Sequence, residues 1–197
     1  VGRCIAIAQA AADFGRASVF ACANALGNGS RNIEENGFEV HELNPQSLSH
    51  DAFCTLALAR RLGVGTLVID MCNSQTIRNK DEFLDFLLFL ADTELKIVFI
   101  EGMNEECMSL KIALPVSAIV VPYFGAKNQN YLFSNECQYL IGEEYFPLRK
   151  EFLSFGGNKP NTSSKPRNFV VSMGGGDVSF ENTKILEALG IIWDHKY

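Results

Sequence analysis

The sequence predicts an α/β fold, a doubly wound parallel sheet covered by helices on both faces. Two observations carry this reading. Apolar β-runs alternate with helical patterns five times along the chain, and several of those runs are apolar on consecutive residues, as in Leu67-Val68-Ile69 and Ile97-Val98-Phe99-Ile100. A strand with one face in water alternates apolar and polar residues, whereas a parallel strand sandwiched between helices does not.

The elements follow in order. The chain opens in a helical pattern, with Ile5, Ala8 and Ala12 on one face and Gly15 as a stop. "ASVFACA" (17–23) reads as a strand, "NGSRNIEENG" as a loop and short helix, and "FEVHEL" (38–43) as an alternating strand. A helix is expected from about Ser49 to Leu62, with Ser49 and Asp51 as cap candidates and Gly63 and Gly65 at its end. "TLVIDM" (66–71), a helix near 80–91, "KIVFIE" (96–101), a helix near 105–114 and "SAIVVP" (117–122) complete the alternation. Ligands of such sheets sit beyond the carboxyl ends of the strands. Asp70 and Glu101 fall at two of those ends, as site candidates or as helix caps and solvated carboxylates.

Composition narrows the function. With 197 residues, 47% hydrophobic and 20% charged, the chain has material for one core and the start of another. A net charge of -6 excludes a protein whose affinity comes from neutralising nucleic-acid phosphates, so a small-molecule partner is expected. Cys4, Cys22, Cys54, Cys72, Cys107 and Cys137 form neither CxxC pairs nor clusters with histidine, so no metal site is expected and the thiols read as reduced. The apolar stretches 83–91 and 112–121 are too short for a membrane span, and no signal peptide is evident, so the expected location is cytoplasmic.

A Gly, Pro, Ser and Asn-rich stretch, 152–167, reads as a linker between a domain at 1–151 and the start of a second domain at 168–197. In that last piece, Phe169-Val170-Val171 feeds Gly174-Gly175-Gly176-Asp177 and then a helical pattern with Ile185, Leu186 and Leu189 on one face. A glycine turn between a strand and a helix exposes backbone N–H groups to a phosphate, reinforced by the helix dipole. The same glycines also suit a plain tight turn, with Asp177 and Asn182 as helix-capping groups.

Three stretches read together sharpen the picture. "VGRCIAIAQAAADFG" (1–15), "YLIGEEYFPLRKEFL" (139–153) and "VVSMGGGDVSFENTKILEAL" (170–189) resemble, in this order, motifs of the nucleotide-sugar hydrolases of pseudaminic acid biosynthesis and their spore-coat-polysaccharide relatives. Those enzymes release UDP from UDP-2,4-diacetamido-2,4,6-trideoxy-β-L-altropyranose. The middle stretch, with Gly142, Tyr145, Leu148, Arg149, Glu151 and Phe152, is the most specific of the three.

The resemblance implies a GT-B-like pair of Rossmann-like domains with a UDP-linked sugar in the cleft and no cofactor. It matches Gly174, Gly175, Gly176 and Asp177 to the diphosphate loop, and Asn182 and Thr183 to the helix after it. It brings Tyr145 and Arg149 beside the cleft as substrate-binding candidates, and Arg3 to the first motif, so that Arg3 and Asp70 are candidate catalytic groups. Ion pairing and packing are the structural alternatives for Arg149 and Tyr145.

The catalytic histidine of the family aligns one position ahead of Val1, in a turn after a strand, so the resemblance implies a segment of a longer enzyme that is inactive by itself. His41, His50 and His195 stand in no catalytic pattern. Two departures bear on the sugar: Glu101-Gly102 where the family has paired aspartates, and Asp70-Met71-Cys72 where it has an Asp-Ser-Tyr type turn. Two other readings remain open, a GT-B glycosyltransferase with a UDP-sugar donor and a non-catalytic nucleotide-sugar-binding module.

Overall fold

A computed structural model describes residues 1–23, 29–44, 46–70, 80–101, 112–154, 171 and 179–194. It is an α/β protein with parallel sheets, Rossmann-like in architecture. The chain divides into two compact units, Val1–Gly156 and Gly157–Tyr197.

The first unit runs α1 (Gly2–Asp13), β1 (Val19–Ala23), α2 (Gly29–Glu35), β2 (Glu39–Leu43), α3 (Leu48–Leu62), β3 (Thr66–Ile69), α4 (Lys80–Ala91), β4 (Lys96–Ile100), β5 (Ala118–Val121), β6 (Gln138–Ile141) and α5 (Lys150–Leu153). Strands β1 and β2 pair in parallel as one sheet. Strands β3, β4, β5 and β6 form a second parallel sheet in chain order, registered through Thr66 to Lys96, Val98 to Ala118 and Ala118 to Gln138.

Residues of both parities on the central strands are buried, as consecutive apolar residues require. Ile97, Phe99, Ile119 and Val121 join Phe83, Phe86, Leu87 and Leu90 of α4 and Ala52 and Leu56 of α3 in one apolar cluster. Ile100, Ala118 and Val120, pointing the other way, are buried too. The ring of Phe83 lies 5.9 Å from that of Phe86 and 5.4 Å from that of Phe99, which locks α4 over the centre of β4. Each such buried ring contributes about 2–3 kcal/mol through the apolar area it removes from water.

Local signals set the helix ends. Gly63 adopts φ +66, and the amides of Gly63 and Val64 turn back to the carbonyls of Arg60 and Ala59, satisfying the last orphan acceptors of α3. Gly15 and Gly37 close α1 and α2 with the same pattern. At the start of α3 the sequence expectation is corrected. Ser47, and neither Ser49 nor Asp51, is the cap: its extended backbone lets Oγ accept from the His50 amide at 3.1 Å, while Ser49 and Asp51 already lie within the first turn.

Other boundaries shift. Leu114, the expected end of a helix near 105–114, lies outside any helix and is buried, and residues 105–111 of that prediction are outside the described residues. Phe152 and Leu153, read as the start of the linker, complete α5. In the second unit, α6 spans Ser179–Asp194. Ile185 and Leu189, four apart, are half-buried, but Leu186 is 60% exposed and does not share their face. The expected strand at 169–171 falls almost wholly outside the described residues. Among the described residues no helix is long and apolar enough to cross a membrane.

Candidate functional site

Parallel pairing brings the carboxyl ends of β3 to β6 to one edge of their sheet, and the residues that follow each strand meet there: Asp70 after β3, Glu101 after β4, Tyr123 after β5 and Gly142 after β6. The first turn of α1 arrives at the same edge and delivers Arg3 and Cys4.

Arg3 is the centre of this cluster. Its Nε donates to Asp70 Oδ2 at 3.2 Å and its Nη2 to Oδ1 at 2.6 Å, a two-point guanidinium–carboxylate pair. Its Nη1 donates to the Tyr123 hydroxyl. The Asp70 side chain is only 8% exposed. A planar guanidinium gripped from two directions cannot swing, so its orientation is set before any ligand arrives. Both Asp70 oxygens already serve as acceptors, which makes Asp70 a brace for Arg3 and a poor match for a base reaching out to solvent.

Cys4 leans on the same carboxylate, with Sγ 3.5 Å from Asp70 Oδ2. Burial, helped by the Asp70 charge, pushes its thiol pKa up to about 12, so it stays protonated and is no nucleophile. Glu101 is 3% exposed, with its amide donating to Val120 O, so it is not a solvated carboxylate.

Around Gly142 the backbone takes φ +127 and ψ 167, a region open in practice to glycine alone. A Cβ there would run into the side chains of Glu144 and Lys127, which are paired at 2.5 Å between Lys127 Nζ and Glu144 Oε1. Each partner moves the other: the Glu144 hydrogen bond raises the Lys127 pKa, and Lys127 lowers that of Glu144.

The structure brings Arg3 and Asp70 together at the sheet edge, and the middle-motif candidates follow Gly142 after β6. Tyr145 ends a short 3-10 helix, is 40% exposed, and donates its amide to Gly142 O. Arg149 precedes α5 and lays its guanidinium 5.4 Å from the Phe152 ring centroid. The next residue, Lys150, docks on the far half of α1: its amide donates to Gln9 Oε1 and its Nζ pairs with Asp13 at 2.6 Å. Gln9 is almost two helical turns beyond Arg3, so the first and middle motifs meet on one helix but at its other end.

Gly174, Gly175, Gly176 and Asp177 lie outside the described residues. Asn182 sits inside α6, and its Oδ1 is buried without a hydrogen-bond partner among the described residues. His41 lies in β2 with Nε2 3.0 Å from Glu39 Oε1, and His50 has Cys54 Sγ 3.5 Å from its Nε2; His195 is outside the described residues. Among the described residues no group of three or more His, Cys, Asp or Glu side chains is arranged to hold a metal ion.

No protein-family model, curated protein or solved structure matches this chain.

Sequence reasoning missed Tyr123. The signal was its place directly after Pro122 at the end of an apolar β-run, the same position that singled out Asp70 and Glu101.

Proposed function

We propose that this chain belongs to a nucleotide-sugar hydrolase that releases UDP from a diacetamido-trideoxy sugar in nonulosonic acid biosynthesis of the pseudaminic type. One observation carries the reading. Arg3, from the first of three ordered motifs, stands at the carboxyl ends of β3 and β5, the edge where doubly wound sheets receive ligands, and is braced there by Asp70 and Tyr123. Arg3 and Asp70 then act as a fixed polar wall on the sugar side. The diphosphate is assigned to Gly174, Gly175, Gly176, Asp177 and Asn182 through the resemblance, with Tyr145 and Arg149 as further substrate contacts.

The test is UDP release from UDP-2,4-diacetamido-2,4,6-trideoxy-β-L-altropyranose by the protein in its full reading frame, with no acceptor present. Release that falls at least tenfold in Arg3→Ala supports the reading. Transfer that requires an acceptor makes the protein a glycosyltransferase, and saturable binding without turnover makes it a binding module.

A further inference from the structure

The turn that follows β5 presents two neighbouring aromatic residues in different ways. Tyr123 packs against the apolar core, and its hydroxyl accepts from Arg3 Nη1. Phe124, the next residue, is 85% exposed. The backbone accounts for the difference. The Ala126 amide donates to Tyr123 O at 3.2 Å, and Gly125 holds φ +80 and ψ -5, the geometry of the third residue of a type II turn. Phe124 is then the second residue of that turn, at its outer corner, and glycine is the residue that fits after it.

Exposure alone decides nothing, because Phe14 is 84% exposed as well. Position separates the two. Phe14 follows the last residue of α1, a helix of 12 residues and so about 18 Å long, whose first turn carries Arg3. Phe124 follows β5 at the carboxyl ends of the strands, directly after the tyrosine that holds Arg3. Phe133 is exposed too, yet its ring lies 4.6 Å from that of Tyr139. Phe124 has no ring partner among the described residues. A large apolar ring held in water at the edge that receives ligands gains stability when a ligand covers it.

We propose that Phe124 is a specificity-determining contact for the sugar, its ring taking the apolar face of a deoxy sugar whose polar groups meet Arg3 and Asp70. This inference rests on the nucleotide-sugar reading above and adds to it a side chain that recognises the missing hydroxyls. In a 2,4-diacetamido-2,4,6-trideoxy sugar C6 is a methyl group, and each acetamido group ends in another. Such a ring offers apolar surface where an ordinary hexose offers hydroxyls. The Phe124 side chain has a flat apolar face and no hydrogen-bonding atom, so it covers a methyl group favourably and leaves a hydroxyl in the same place without a partner. One such contact discriminates by about tenfold or somewhat more.

The test measures UDP release from UDP-2,4-diacetamido-2,4,6-trideoxy-β-L-altropyranose by the protein in its full reading frame, together with inhibition by UDP alone. In Phe124→Ala, kcat/KM should fall about tenfold, and the preference for this substrate over its 6-hydroxy counterpart should shrink by a similar factor. The inhibition constant of UDP should not change, because UDP lacks the sugar ring. Phe124→Tyr keeps the ring and should stay within about threefold of the parent. Phe14→Ala, the equally exposed control, should match the parent, and with so exposed a side chain the melting temperature of Phe124→Ala should not move. Parental kcat/KM in Phe124→Ala overturns this inference and leaves the hydrolase reading standing. So does an equal weakening of UDP inhibition, which would give Phe124 to the nucleotide. A parent that releases no UDP sinks the hydrolase reading, and this inference with it.

Discussion

Arg3 and Asp70, sixty-seven positions apart, are joined by two hydrogen bonds, Nε to Oδ2 and Nη2 to Oδ1. Removing one partner strands the other at a mostly buried position. Arg3→Ala is expected to lower unfolding stability by about 3 kcal/mol, and a double-mutant cycle with Asp70→Ala to show strong coupling. Denaturant unfolding measures both. Additive losses would show that the pair is not a unit.

The Tyr123 hydroxyl accepts from Arg3 Nη1, so Tyr123→Phe keeps the ring and deletes that link. The expected cost is about 1 kcal/mol, visible as a lower melting temperature.

Cys4 should be the least reactive of the described thiols, Cys4, Cys22, Cys54 and Cys137. With its pKa raised to about 12, its alkylation by iodoacetamide at pH 8 should be on the order of a thousandfold slower than that of an unperturbed thiol. Peptide mapping by mass spectrometry reads this residue by residue. Modification at an ordinary rate would mean that the first turn of α1 opens readily.

Much of this fold was legible because burial on both faces leaves a direct trace, and Val98, Phe99 and Ile100 could hardly sit anywhere else. Asp70 was legible for a topological reason, its place at a strand end, and Arg3 through its motif. Their pairing was not. Nothing local ties Arg3 to a residue sixty-seven positions on. The cap of α3 was misjudged because Ser47, Ser49 and Asp51 all have capping chemistry; only Ser47 combines extended backbone with reach to the amide three residues on. Strand β6 hid inside the middle motif, where Gln138-Tyr-Leu-Ile precedes Gly142.

Asp51 gives a pH prediction. It is buried in the first turn of α3, and loss of hydration raises its pKa, with a hydrogen bond from Thr55 opposing. The folded state then holds this proton more tightly than the unfolded chain, so the contribution of Asp51 to stability falls as pH rises from its unfolded value through its raised folded value. Asp51→Asn removes this titration. The variant should be more stable than the parent at pH 7 and lose that advantage toward pH 4, in melts recorded across that range.

Gly142→Ala should cost about 2 kcal/mol, since φ +127 is strained for any residue with a Cβ. Shortening Glu144 to Ser clears one flexible side chain from the path but leaves the backbone strain, so the double variant should recover little of the loss. Full recovery in chemical denaturation would assign the cost to crowding instead.

The register of β3 to β6 bears on how the protein is made. Each strand pairs with its immediate successor, and the ladders join residues thirty, twenty and twenty positions apart. Short closures are cheap in chain entropy, and none of these pairings waits for a distant segment. The sheet can therefore be laid down strand by strand as the polypeptide leaves the ribosome, each new strand finding its neighbour already in place.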